Sequence, residues 1–155
     1  MKHRHPKEFP QRLAQPTMPG ALLKRLYAVA RQLQLIDSDP AYLRMVRQLP
    51  CLGCGLEPCG EAAHIRGQSG AYGKRSSMGK KPPDRWAVSL CGDCHREGPL
   101  ALHRVGEELF FHRLGINPLL VASQLRAAKG DLVRMRAIVL LAMAEPYPQT
   151  EGVTW

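Results

Sequence analysis

Two Cys-x-x-Cys pairs, Cys51/Cys54 and Cys91/Cys94, are the residues of this chain best suited to chemistry. A Cys-x-x-Cys turn aims two thiolates at one point, and two such turns complete the tetrahedral sulfur shell that Zn²⁺ prefers. The spacing therefore predicts one structural zinc site built from Cys51, Cys54, Cys91 and Cys94, with Cys59 left over as a free thiol. The long stretch between the pairs contains Glu61-Ala62-Ala63-His64-Ile65-Arg66, and the second pair runs directly into His95. A zinc staple would join two segments that each supply a histidine, an arrangement suited to a second site with a different task.

Length and composition bound what surrounds these residues. A chain of 155 residues, 45% hydrophobic, can bury one modest core, helped by a metal. Lys and Arg outnumber Asp and Glu 22 to 13, a formal charge of +9. That excess points to a polyanionic partner, DNA or RNA, bound through phosphate contacts and counterion release. The N-terminus lacks the apolar run of a signal peptide, and no stretch reaches the ~18 apolar residues of a membrane span. The expectation is a cytoplasmic protein with no membrane partner, in a reducing compartment that favours thiolate–metal ligation over disulfides.

The elements that must position the chemistry follow in order. Residues 1–19 are rich in Pro, Lys, Arg and His without an apolar period, and read as a flexible basic arm. Residues 20–50 read as two helices. The first carries Leu22, Leu26, Val29, Leu33 and Ile36 at steps of four and three; the second, from Ala41 to Gln48, follows an Asp39 N-cap and a Pro40 at the first helical position. Residues 51–104 hold a Gly- and Pro-rich cysteine knuckle, a short strand from Ala62 to Arg66, a basic loop from Gly67 to Pro83 and a strand from Trp86 to Leu90. A helix begins near Asp93 and breaks at Gly98-Pro99. Residues 105–145 complete helical patterns over 103–114, 118–129 (capped by Asn117, stopped by Gly130) and 131–144, and residues 146–155 read as a tail.

A strand ending in histidine, a loop, a second strand and a helix entered through Cys-x-x-Cys-His is the order of a ββα-metal unit. With Ala62-Ala63-His64-Ile65 and Leu90-Cys91-Gly92-Asp93-Cys94-His95, residues 51–104 resemble the HNH endonuclease family, and in detail the small phage and prophage nucleases of the recombination-enhancement type. The resemblance implies an α+β fold, a zinc-stapled ββα-metal core within a mostly helical small domain, and a metal-dependent DNA endonuclease. It implies His64 as the general base that activates water, and His95 and His103 as ligands of a catalytic divalent ion. Two histidines suit Mn²⁺, Ni²⁺ or Zn²⁺, and Mg²⁺ is compatible because it keeps several waters. Arg66, Lys74, Arg75, Lys80, Lys81, Arg85 and Arg96 are the candidates to line the nucleic-acid path.

Two positions depart from the family pattern. Ala63 stands where a metal-binding Asp or His is common, and Trp86 stands where an asparagine would orient the base, a role for which Asp84 is the nearest substitute. These departures motivate an alternative: a non-catalytic, zinc-stabilised module that binds nucleic acid or a protein.

Overall fold

The computed structural model of the protein describes residues 38–74 and 81–145. The basic arm, the first expected helix, Arg75, Lys80 and the tail lie outside the described residues. The fold mixes helices with one two-stranded antiparallel sheet. Its order is α1 (Pro40–Val46), β1 (Glu61–His64), a 3₁₀ turn (Asp84–Trp86), β2 (Ala87–Leu90) and a wide π-type turn (Asp93–Glu97). Four helices follow: α2 (Leu102–Val105), α3 (Glu107–Leu114), α4 (Pro118–Ala127) and α5 (Leu132–Ala144). Among the described residues, no helix is long and apolar enough to cross a membrane.

The helix starts follow local chemistry. The Asp39 carboxylate accepts the Tyr42 N–H at 3.0 Å, with Pro40 at the first helical position. Asn117 Oδ1 accepts from the N–H groups of Leu119 and Leu120 at 3.1 and 3.0 Å, and Asp131 caps α5 through the Arg134 N–H. The single helix expected over 103–114 is instead two, α2 and α3, divided at Gly106. There φ is +88°, a conformation that breaks the helical path and that a residue with a Cβ rarely adopts. The expected helix after Asp93 is one wide turn, because the Gly98 N–H bonds back to the Asp93 carbonyl at 2.9 Å.

Both strands are shorter than expected: β1 starts at Glu61 and stops at His64 rather than Arg66, and β2 lacks Trp86 because the backbone of Asp84–Trp86 turns rather than extends. Their register pairs Glu61 with Leu90 and His64 with Ala87, so the first strand begins with a carboxylate and ends with an imidazole. Every residue of β2 is buried, between α1 on one side and α4 on the other. The buried Ser89 hydroxyl donates to the Pro50 carbonyl at 2.7 Å, which spares it the cost of an unpaired polar group. One core joins Tyr42 and Val46 of α1, Val88 and Leu90 of β2, Phe111 of α3, Leu125 of α4 and Met135 and Val139 of α5. Each of these side chains contributes roughly 1.5–3 kcal/mol through burial, and together they form the platform beneath the strands.

Candidate metal centre and histidine cluster

The four thiols of Cys51, Cys54, Cys91 and Cys94 lie within 4.8 Å of one another. Sulfurs around a tetrahedral zinc with Zn–S bonds near 2.3 Å stand about 3.8 Å apart, and Cys54 Sγ and Cys91 Sγ are 3.6 Å apart. Both turns are shaped for this. The Cys51 N–H donates to the Leu56 carbonyl at 2.8 Å and the Gly55 N–H to the Cys51 carbonyl at 2.7 Å, folding the first knuckle onto itself. The Cys91 N–H then donates to Cys51 Sγ at 3.2 Å, tying the second knuckle to the first. A Cβ on Gly53 would stand 3.0 Å from Cys94 Sγ, so a glycine here leaves room for the second knuckle's sulfur.

The electrostatics call for a cation. Burial pushes the Cys51 and Cys94 thiols up, while Cys54 goes down because bonds from the Leu56 N–H and the neighbouring thiols outweigh its own burial. Four such groups cannot ionise together without a positive charge among them, and a thiolate-bound Zn²⁺ supplies it. The residues present fit a structural zinc ion. Cys59 does not join them: its single S–H points among the carbonyls of Glu61, Val46 and Arg47, nearest to Glu61 at 3.1 Å, and burial raises its pKa to about 11.

At the His64 end of β1, His64 Nε2 meets Asp84 Oδ1 at 2.8 Å. Asp84 is buried, and it also accepts from the Asp39 N–H at 2.7 Å and the Lys81 ammonium at 2.9 Å. Burial alone would raise its pKa, but Lys81, the Asp39 N–H and His64 outweigh that and hold the carboxyl below its ordinary range. An ionised carboxylate only accepts, so Nε2 carries the proton and Nδ1 is left with a free lone pair. Burial lowers the pKa of His64 against the opposing pull of Asp84, which keeps the ring neutral at physiological pH.

At the other end of β1, Glu61 Oε2 accepts from His95 Nδ1 at 2.7 Å and from Arg96 Nε at 3.1 Å. Arg96 grips both carboxylate oxygens and, with His95, holds Glu61 well ionised against the cost of burial. The proton on His95 is thereby placed on Nδ1, leaving Nε2 as a donor atom. A carboxylate behind the ring is the usual support of a metal-ligating histidine. The His103 ring lies edge-on to His95, with centroids 4.5 Å apart. Its pKa is lowered by partial burial and by the Arg66 and Arg96 charges, against the pull of Glu107.

The expected site residues thus divide. His95 and His103 stand edge to edge, with ring centroids 4.5 Å apart, while His64 lies at the opposite end of β1 from Glu61, the partner of His95. Ala63 is fully buried and offers no ligand atom, and Trp86 is core, with the Arg85 guanidinium 5.4 Å above its ring. Of the basic candidates, Lys81 is bound to Asp84, and Arg96 to Glu61. Lys74 corrects an expectation: it is only 5% exposed, and its ammonium donates to the Arg66 and Gly67 carbonyls, so it is turned into its own loop rather than toward a ligand. Arg66 is exposed and has no carboxylate partner among the described residues.

Sequence reasoning passed over Glu61 and Glu107. Glu61 carries a signal in hindsight, a carboxylate at the start of a strand whose far end bears His64. Glu107 carries none, since its partners at Arg66 and Gly67 are reached only through the tertiary fold. Compared with known proteins, the chain matches no family model, no curated protein and no solved structure.

Proposed function

We propose that the protein is a metal-dependent DNA endonuclease of HNH type whose ββα-metal core is stapled by zinc. One observation carries the reading: two carboxylate–histidine pairs at opposite ends of one strand, each of which leaves the second ring nitrogen of its histidine without a hydrogen-bond partner among the described residues. The two nitrogens suit different tasks. His64 Nδ1, neutral and backed by Asp84, takes the proton of a water as its oxygen attacks phosphorus, and Asp84 stabilises the imidazolium that forms. His95 Nε2 and His103 would hold a divalent ion, Mg²⁺, Mn²⁺, Ni²⁺ or Zn²⁺. Such an ion, when bound, stabilises the oxygen that leaves as the phosphodiester bond breaks. The net charge of +9 and the exposed arginines favour a phosphate backbone as the substrate.

The substitution of Asp84 for the family's orienting asparagine supports activity, because a carboxylate fixes the same ring and adds a charge. The buried Ala63 favours the second reading, a zinc-stabilised binding module without catalysis, since it leaves the ion with two protein ligands in place of three.

Plasmid nicking separates the two. Zinc-retaining protein, stripped of other metals, should cut when Mg²⁺, Mn²⁺ or Ni²⁺ is added back. His64→Ala should lose cleavage but keep metal and DNA affinity, whereas His95→Ala should lose cleavage and the added metal together. A wild type that never cuts would leave the binding module as the better account.

A further inference from the structure

The peptide that follows β1 is gripped from both sides. Glu107, in the first turn of α3, accepts the Arg66 N–H at 2.6 Å on one carboxylate oxygen and the Gly67 N–H at 2.8 Å on the other. Lys74 meets the carbonyls of the same two residues, at 3.0 Å for Arg66. All four backbone groups of this dipeptide are therefore paired with buried or part-buried side chains. Lys74 itself is fixed, because the loop closes on it through paired Ser69 and Lys74 N–H···O bonds of 3.0 and 2.9 Å. On the strand side, the Ile65 N–H donates to the Trp86 carbonyl at 2.9 Å, and the Ile65 side chain is buried in the core.

Two oppositely charged side chains are thus spent on holding one dipeptide still, and the side chain that dipeptide presents is Arg66. Arg66 follows His64, the end of β1, by two residues, and its guanidinium has no carboxylate partner among the described residues, unlike Lys81 with Asp84 and Arg96 with Glu61. A guanidinium on rigid backbone beside a metal-ligating pair of histidines is preorganised for an anion, and its fork of donors matches two oxygens of one phosphate.

We propose that Arg66 is the phosphate-binding residue of the histidine site, and that Glu107 and Lys74 are positioning residues that hold its backbone in place. The inference rests on the nuclease reading for its substrate, but binding tests it without cleavage.

The test is a double-mutant cycle on the full chain with its zinc retained. Fluorescence anisotropy would follow binding of a short DNA duplex with no divalent ion added, over a series of salt concentrations. Arg66→Ala should weaken binding about tenfold or more, as expected for one charge-assisted contact, and reduce the slope of log affinity against log salt by about one. Arg66→Lys should restore the slope but not the full affinity, because a point charge replaces a fork. Glu107→Gln should weaken binding in the wild type and add nothing in the Arg66→Ala background. A mere stability role for Glu107 would instead cost the same affinity in both backgrounds, and that result would overturn the positioning proposal. An Arg66→Ala variant with the wild-type slope would overturn the phosphate contact.

Plasmid cutting, scored separately, distinguishes the two readings. A wild type that binds with the Arg66-dependent slope but never cuts removes the nuclease and upholds the phosphate site. A wild type that binds no DNA removes both.

Discussion

Replacing Asp84 by Asn tests the proposed base without removing it. The Asp84 carboxylate accepts the Nε2–H of His64 at 2.8 Å and the Lys81 ammonium at 2.9 Å through the same oxygen, Oδ1. In Asp84→Asn the amide oxygen can keep facing His64 and Lys81, because Lys81 cannot accept a bond from the amide nitrogen, but the nitrogen then takes the place of Oδ2 and the Asp39 N–H loses its acceptor at the start of α1. The tautomer of His64 should survive; what is lost at the ring is the charge that stabilises the imidazolium, and the forfeited Asp39 N–H bond should appear separately as a fall in stability. A hydrogen bond to a charged group is worth roughly 1.5–3 kcal/mol, so kcat should fall about 10- to 150-fold. The pH profile adds a sign. His64 must be neutral to accept a proton, so activity rises as pH climbs through its pKa. Burial already lowers that pKa and Asp84 works against the lowering; without the carboxylate the acid limb should move to still lower pH as the plateau falls. Rates of plasmid nicking from pH 5 to 8, with circular dichroism to confirm the fold, would measure both effects. Unchanged kcat, or an acid limb moved toward higher pH, would refute His64–Asp84 as the working pair.

Two further outcomes follow from the geometry. Elemental analysis should find one zinc per chain; Cys51→Ser or Cys94→Ser should unfold or aggregate the protein, while Cys59→Ser, outside the cluster, should leave zinc content unchanged. Asn117→Ala removes the cap of two N–H groups of α4 and the donor to the Tyr72 hydroxyl, and should cost about 1–2 kcal/mol, read as a fall of several degrees in Tm.

The cysteine cluster was legible because its information is local: a Cys-x-x-Cys turn shapes itself, and only the meeting of the two turns is a tertiary event. The caps at Asp39, Asn117 and Asp131 were legible for the same reason, since a carboxylate or amide reaches an N–H two or three residues on. Where the sequence misled, the cause was a backbone choice or a distant partner. Gly106 sits inside an unbroken helical pattern, and only its positive φ divides α2 from α3. Lys74 belongs to a run of glycines and lysines that reads as solvated, yet its ammonium is buried in the turn of its own loop. Glu61 and His95 are separated by most of the core segment, and their meeting depends on strand register rather than on spacing along the chain.

That register has a consequence for how the site can fail. Glu61 and His64 sit three residues apart on β1, facing Leu90 and Ala87, and their partners lie just beyond the two ends of β2. A slip of one residue would turn the side chains of β1 to opposite faces and pull both carboxylate–histidine pairs apart in the same step. What opposes the slip lies beside the strands: the Cys91 N–H on Cys51 Sγ and the Leu52 N–H on the Ser89 carbonyl at 2.8 Å hold the knuckle to β2, and the Gly60 N–H on the Arg47 carbonyl at 3.0 Å holds the chain entering β1. The knuckle thus acts as a latch on alignment as well as on stability, and the two histidine pairs are assembled or lost as one unit. A molecule with its latch undone would hold neither carboxylate–histidine pair, so one pair formed without the other is not among the states this architecture readily visits.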